Sequence, residues 1–276
     1  MLPIFLALTI SLPAADAPLA VTRNIAYKSG SGLSDYEQAR CRLDVYSPLR
    51  ASGLPCLVWF HGGSMSSGSK DGTISVPAAK SLASEDLVVI AVNYRLSPQA
   101  KYPAYLEDAA AAVAWVRTRC GEYGGDPRRV FVAGHSAGGY LTAMLGVDDQ
   151  WLKRHGQSPT DIAGFIPLSG QMITHSAVRQ ERGQTREKVV VDEAAPLHHV
   201  KSGLAPWLIL FAENDHALRS EENVYFAAAL RAAGNKDITI REMKDHDHDG
   251  KGRQIANDGD AVRAAIVAFI RSKPAK

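Results

Sequence analysis

Cysteine is scarce in this chain. Only Cys41, Cys56 and Cys120 occur among its 276 residues. Three thiols cannot all pair with one another, and their spacing matches no zinc-binding pattern. Two of them, Cys41 and Cys56 for instance, could be joined in an exported protein, although buried free thiols are the commoner state. Basic runs are also missing: the net charge is only +2 and the lysines and arginines are dispersed, so neither nucleic acid nor another polyanion is indicated as a partner. Internal repeats and low-complexity tracts are absent too, which removes solenoids and linkers from consideration. No apolar run is long enough for a stable membrane span, the longest being Leu2 to Leu12.

What is present is the profile of a globular chain, with 46% apolar and 22% charged residues. The opening "MLPIFLALTISLPAADAPLA" joins that apolar run to small residues. Residues 1–17 therefore read as a cleaved secretory signal, which predicts a secreted or periplasmic protein. Residues 18–276 are then expected to form one domain.

Past the leader, "VTRNIAY" and "RLDVY" alternate apolar and polar residues around a Ser/Gly turn and read as an opening hairpin. "PCLVWF", "LVVIAVNY", "RRVFVAG", "IAGFIPLS", "PWLILFA" and "DITIREM" read as strands, most of them continuous apolar runs. Segments with helical spacing lie between them, over 76–84, 103–120, 135–146, 221–233 and 261–270. Continuous apolar strands joined by helical crossovers predict an α/β fold, with a mainly parallel sheet covered on both faces. Residues 171–201 break the rhythm. They are polar, weakly periodic and long for a connection, so they read as an insertion near a site.

Gly134-His135-Ser136-Ala137-Gly138 fits G-x-S-x-G at a strand-to-helix junction. Such a turn lifts a serine hydroxyl above the sheet, at a helix N-terminus that favours developing negative charge. Ser136 is the candidate nucleophile. Its attack on a carbonyl would create an oxyanion that needs donors. After an earlier strand comes His61-Gly62-Gly63-Ser64, and Gly63, Ser64 and Ala137 are assigned as backbone donors, with Gly62 as the alternative. A partner acid belongs in the loop after a late strand, where Glu213 and Asp215 lie. A histidine base belongs between the last strand and the last helix. The stretch "KDHDHDGKG" offers His246 and His248 there, and position alone does not separate them.

The "HGG" loop, the stretch "VNYRLSPQAKYPAYLEDAAAAVAWVR" and "GHSAGG", in this order, resemble the α/β-hydrolase superfamily. The likeness is to the carboxylesterase and acetyl- or feruloyl-esterase-like branch related to hormone-sensitive lipase, and it covers nearly the whole chain after the leader. The resemblance implies a cofactor-free, metal-free serine hydrolase of short-acyl carboxylic esters, small or polysaccharide-linked. By matching the family's E-x-D pattern it selects Asp215 as the acid, and by counting from Glu242 with Gly250 following it selects His248 as the base. The chain departs from the pattern at Ser64, where much of that branch has a third glycine. An arylformamidase or peptidase on the same fold is the alternative chemistry, and a non-catalytic binding module the alternative class. Among the remaining residues, His135 is expected to support the serine turn, Asp108 to bond near it, and Asp245, Asp247 and Asp249 to form an acidic rim.

Overall fold

A computed structural model describes residues 18–276, and the expected signal sequence at 1–17 lies outside the described residues. Strand β1 (Leu19–Ala26) is followed by α1 (Asp35–Arg40), β2 (Arg42–Pro48), β3 (Leu54–Phe60), α2 (Ser75–Ala83), β4 (Val88–Val92) and α3 (Ala104–Arg119). Next come β5 (Gly125–His135), α4 (Ala137–Val147), α5 (Asp149–Lys153), β6 (Gly164–Leu168) and α6 (Ser176–Glu181). The chain continues with β7 (Trp207–Asn214), α7 (Arg219–Ala232), β8 (Ile238–Asp247), α8 (Gly250–Gln254) and α9 (Ala261–Ser272). All eight strands form one sheet in the order β1-β2-β4-β3-β5-β6-β7-β8. Pairing is antiparallel from β1 through β4 and parallel from β4 to β8. This is the α/β-hydrolase fold that the resemblance implies, with the mainly parallel sheet that the strand and helix alternation predicts.

Period-2 alternation divides the central strands between two cores. Along β3, Cys56, Val58 and Phe60 face one side, packed with Leu106 and Ala109 of α3 and Leu141 of α4. Leu57 and Trp59 face the other, with Leu82 of α2 and Val262 and Ile266 of α9. Burial on both faces explains why these strands are unbroken apolar runs.

The order of the central strands creates the site. From β3 the chain crosses to β4 on one side and then to β5 on the other, so β3 is flanked by β4 and β5. The connections leaving β3 and β5 diverge above their carboxyl ends, which opens a crevice at the switch point. Phe60 pairs with Gly134 at that edge, and this brings the "HGG" loop beside the serine turn.

Three expectations gain detail. The opening strands pair antiparallel as expected, with α1 standing in their connection, capped by Ser34 and Glu37. Asp108 is structural: it bonds to the Arg95 guanidinium (2.8 Å) and to Lys28, tying the segment after β4 to α3. All three cysteines are buried free thiols, the commoner of the two expected states, and Cys56 sits beside Cys120.

Candidate active site

Ser136 occupies a single-residue turn between β5 and α4, with φ 56° and ψ −112°. A non-glycine residue there carries on the order of 1–3 kcal/mol of strain, so its surroundings must hold it. They do so through the backbone: the Ser136 N–H donates to the Leu168 carbonyl (2.8 Å) and the Tyr140 N–H to the Ser136 carbonyl (3.0 Å). Space is equally tight. A Cβ on Gly138 would stand 2.1 Å from the Phe60 carbonyl oxygen, so only glycine lets α4 approach β3 this closely.

The "HGG" loop is anchored from beneath. His61 is buried, stacks on Tyr94 with centroids 4.4 Å apart, and receives the Arg40 Nη2–H at its Nε2 (3.2 Å). Its Nδ1–H then donates to the Gly62 carbonyl (2.6 Å). Burial pushes its pKa down to about 3, so the ring is a neutral post and not a base. Gly63 takes φ 115°, and a Cβ there would meet the Ser67 carbonyl oxygen at 2.3 Å. Ser64 also has a positive φ, 54°. With Ala137 opening α4, where a backbone N–H has no acceptor within its helix, Gly63 and Ser64 sit on the opposite lip of the same cleft as Ser136.

A hydrogen-bonded relay joins the expected residues. His248 Nε2 lies 2.9 Å from Ser136 Oγ, and His248 Nδ1 lies 2.5 Å from Asp215 Oδ1. The Asp215 carboxylate also accepts from the backbone N–H groups of Ala212 (3.0 Å) and His216 (2.9 Å) and from the Ser169 hydroxyl. The rivals lie elsewhere. Glu213 binds Lys244 (2.9 Å) and the Asp245 N–H (3.1 Å). His246 has Nδ1 on the Lys244 carbonyl (2.6 Å) and Nε2 on Asp260 (3.1 Å), the residue that caps α9.

Several neighbours were not assigned these places from sequence. His135 Nε2 donates to the His248 carbonyl (2.6 Å), and the His216 ring stacks on His248 at 3.8 Å. Burial, and next the His248 ring itself, lower the His216 pKa. Arg219 donates to the Ser169 carbonyl (2.5 Å), beneath Asp215. The "LSG" ending of the β6 segment is a faint signal for Ser169. None marks Arg219. The expected insertion contributes Gln171, His175, Ser176 and Arg186 to the cleft wall, and its first part, 171–179, is buried, not exposed. The cleft holds about 310 Å³. Among the described residues no group of three or more His, Cys, Asp or Glu is disposed to hold a metal ion, and no helix is long and apolar enough to cross a membrane.

A family model described as BD-FAE matches residues 43–230. By sequence the chain is 24% identical over 257 residues to a probable carboxylic ester hydrolase, LipM, of Mycobacterium tuberculosis, covering 85% of this chain and 59% of that protein. The chain spans about half the length of the relatives it matches by sequence. Among solved structures, the carboxylesterase EstE1, cloned from a metagenomic library, superposes with a TM-score of 0.68 at 25% identity, covering 94% of this chain and 90% of that one. A truncated carbohydrate esterase from gut microbiota superposes with a TM-score of 0.74 at 19% identity, covering 91% and 95%. The BD-FAE match extends over more than half of the chain and agrees with the fold and with the two sequence motifs at the switch point: the chain belongs to the BD-FAE family of the α/β-hydrolase superfamily.

Proposed function

We propose that the protein hydrolyses carboxylic esters through an acyl-enzyme on Ser136. The observation that carries this reading is the relay Ser136–His248–Asp215, with its 2.9 Å and 2.5 Å contacts, opening into the cleft. His248 Nε2 takes the serine proton as Oγ attacks the ester carbonyl. Asp215 accepts from Nδ1–H, holding the tautomer and stabilising the imidazolium. Backbone N–H groups of Gly63, Ser64 and Ala137 hold the oxyanion. The tetrahedral adduct collapses, and the departing alcohol takes the proton from His248. A water then loses a proton to His248 and attacks the acyl carbonyl, the second tetrahedral adduct collapses as His248 returns that proton to Ser136 Oγ, and the acid leaves. These steps need no cofactor.

Short acyl groups of acetyl or feruloyl type suit a cleft of about 310 Å³ whose lining alternates Trp59 and Ile74 with glycines, serines and histidines. A long chain would need a continuous apolar trough. Residues 1–17, read as an export signal, would put the enzyme outside the cytoplasm, where polysaccharide-linked esters are accessible. A fluorophosphonate probe should label Ser136 in the folded protein. Across p-nitrophenyl esters, kcat/KM should be highest at acetyl to butyryl, with acetylated xylan and methyl ferulate as the natural-type arms. Absent labelling with no ester turnover would leave a binding module. Higher kcat/KM on decanoyl esters, with activation at a lipid interface, would make it a lipase.

A further inference from the structure

The cleft continues past Ser136. Gln171, Ser176, Arg186, His216 and Arg219 are shared with a second hollow of about 390 Å³, whose far wall is α6 and the start of α7. Three guanidiniums gather on that wall: Arg179 on α6, Arg186 in the segment that follows, and Arg219 at the first position of α7. Arg179 and Arg219 are only 3% and 8% exposed. Arg179 spends Nη2 on the Arg186 carbonyl (2.6 Å) and Arg219 spends Nη1 on the Ser169 carbonyl (2.5 Å). Arg179 Nε and Nη1 and Arg219 Nε have no hydrogen-bond partner among the described residues.

The nearby carboxylates only partly balance this charge: Asp215, whose field reaches Arg219, is already engaged by His248 Nδ1, the Ser169 hydroxyl and two backbone N–H groups. Glu222 is buried and gives Oε2 to the Met172 N–H (2.8 Å), and burial raises its pKa, which favours the neutral acid. Glu187 stands exposed on the rim. Asp249 lines the opposite, histidine side of the first hollow. A desolvated guanidinium with an incomplete counter-charge is costly, and this wall holds two, Arg179 and Arg219, beside a third, exposed one. Arg186 borders both hollows and a third one next to Ser64, so its side chain stands at the mouth of the reaction site.

We propose that Arg186 and Arg219, backed by Arg179, form a carboxylate-binding subsite beside Ser136, so that the preferred esters carry a free carboxylate. A planar carboxylate matches the guanidinium fork and brings the missing negative charge. The proposal rests on the esterase reading for its placement, and deepens it. The carboxylate can belong to the acyl part, as in a monoester of a dicarboxylic acid, or to the alcohol, as in an O-acetylated hydroxy or uronic acid.

Two isosteric pairs separate those sources: monomethyl succinate against methyl succinamate, and O-acetyl-lactate against O-acetyl-lactamide. In at least one pair, the wild type should favour the carboxylate by about tenfold in kcat/KM, as a charge-assisted contact predicts. Arg186→Gln should remove most of that preference, Arg186→Glu should reverse it, and Arg154→Gln, at the C-cap of α5 and outside the lining of both hollows, should leave it intact. High salt should shrink the preference. Amides that match or outperform carboxylates in both pairs, or a preference that survives both Arg186 variants, would overturn the subsite. Calorimetric titration of Ser136→Ala with the same four compounds reads binding without turnover. Tighter carboxylate binding with no wild-type hydrolysis of any ester would keep the subsite and remove the esterase reading. Hydrolysis of neutral esters with no difference in binding would do the opposite.

Discussion

Ser136 and His248 meet in one hydrogen bond, but the chain delivers them by different means. The serine arm is backbone throughout: buried β5, a strained turn, buried α4 and a glycine that admits β3. The histidine arm is the end of β8, followed by the short α8, with exposed Asp247 and Asp249 on either side of His248. Side chains hold it, through Asp215 on Nδ1, His135 on the His248 carbonyl and the His216 ring on its face. On the serine arm geometry and folding are therefore one problem. On the histidine arm they separate, and substitutions there can dissect the chemistry without unfolding the protein.

The largest effect should come from the serine arm. Ser136→Ala is expected to lower kcat on p-nitrophenyl acetate on the order of a millionfold, with an unchanged thermal midpoint because the backbone is untouched. Gly138→Ala, whose Cβ would stand 2.1 and 2.6 Å from the Phe60 carbonyl oxygen and carbon and 2.9 Å from the His61 carbonyl oxygen, should lose folded protein along with activity. A soluble, active Gly138→Ala enzyme would show that α4 can back away from β3 and that the arm is not stiff.

The histidine pair tests the other half of the contrast. His248→Ala should lower turnover by several orders of magnitude while the protein stays folded. His246→Ala should keep most turnover and lose stability, because it removes the partner of Asp260 at the cap of α9. A hydrogen-bonded buried pair of this kind contributes on the order of 1–3 kcal/mol, readable as a shift in the urea midpoint. The reverse pattern in the two variants would put the base two residues earlier.

This pair also marks the limit of the sequence. Positions 246 and 248 share strand parity, so alternation gives both the same face, and both follow an aspartate. Only the distant Asp215 and Asp260 tell them apart. By contrast the serine turn and the "HGG" loop were legible because their signals are local, with small residues at strand ends. The segment 171–179 was read as polar insertion. Many of its polar groups find partners close by, as in Gln171 accepting from the Ser176 N–H (2.8 Å) and His175 capping α6, so it is buried in spite of its composition. The expected signal sequence and the single-domain boundary rest on the sequence alone.

Acid should distinguish the arms by stability. His61 beneath the "HGG" loop and His175 at the cap of α6 are both buried and neutral, with pKa values pushed down to about 3, first by burial. In the unfolded chain each would titrate near its ordinary 6.5. Between those values the unfolded state binds more protons, so stability falls as pH drops from 6.5 toward 3. From pH 6.5 to 5 each histidine should cost about 2 kcal/mol. His175→Asn keeps a capping side chain and should flatten the fall in the urea midpoint between pH 7 and pH 5. An unaltered slope would mean that His175 is already protonated in the folded protein.

The smallest effect expected is at the support of the acid, where the two arms touch. Ser169 follows β6, takes φ 47°, and donates its hydroxyl to the Asp215 Oδ2 that the Ala212 N–H also binds. Asp215→Asn would put a donor or a mismatched amide against His248 Nδ1 and should lower kcat about ten-thousandfold. Ser169→Ala removes one of the donors and leaves the backbone ones, so the carboxylate stays in place but turns more freely. About a tenfold fall in kcat is expected, the cost of one lost hydrogen bond to a charged group. KM should stay unchanged, because Ser169 is not among the residues lining the cleft. Positive φ favours glycine, so Ser169→Gly should raise the thermal midpoint and yet lose the same tenfold in kcat. If Ser169→Gly instead keeps wild-type turnover, the hydroxyl does not position Asp215, and the relay depends on backbone donors on both arms.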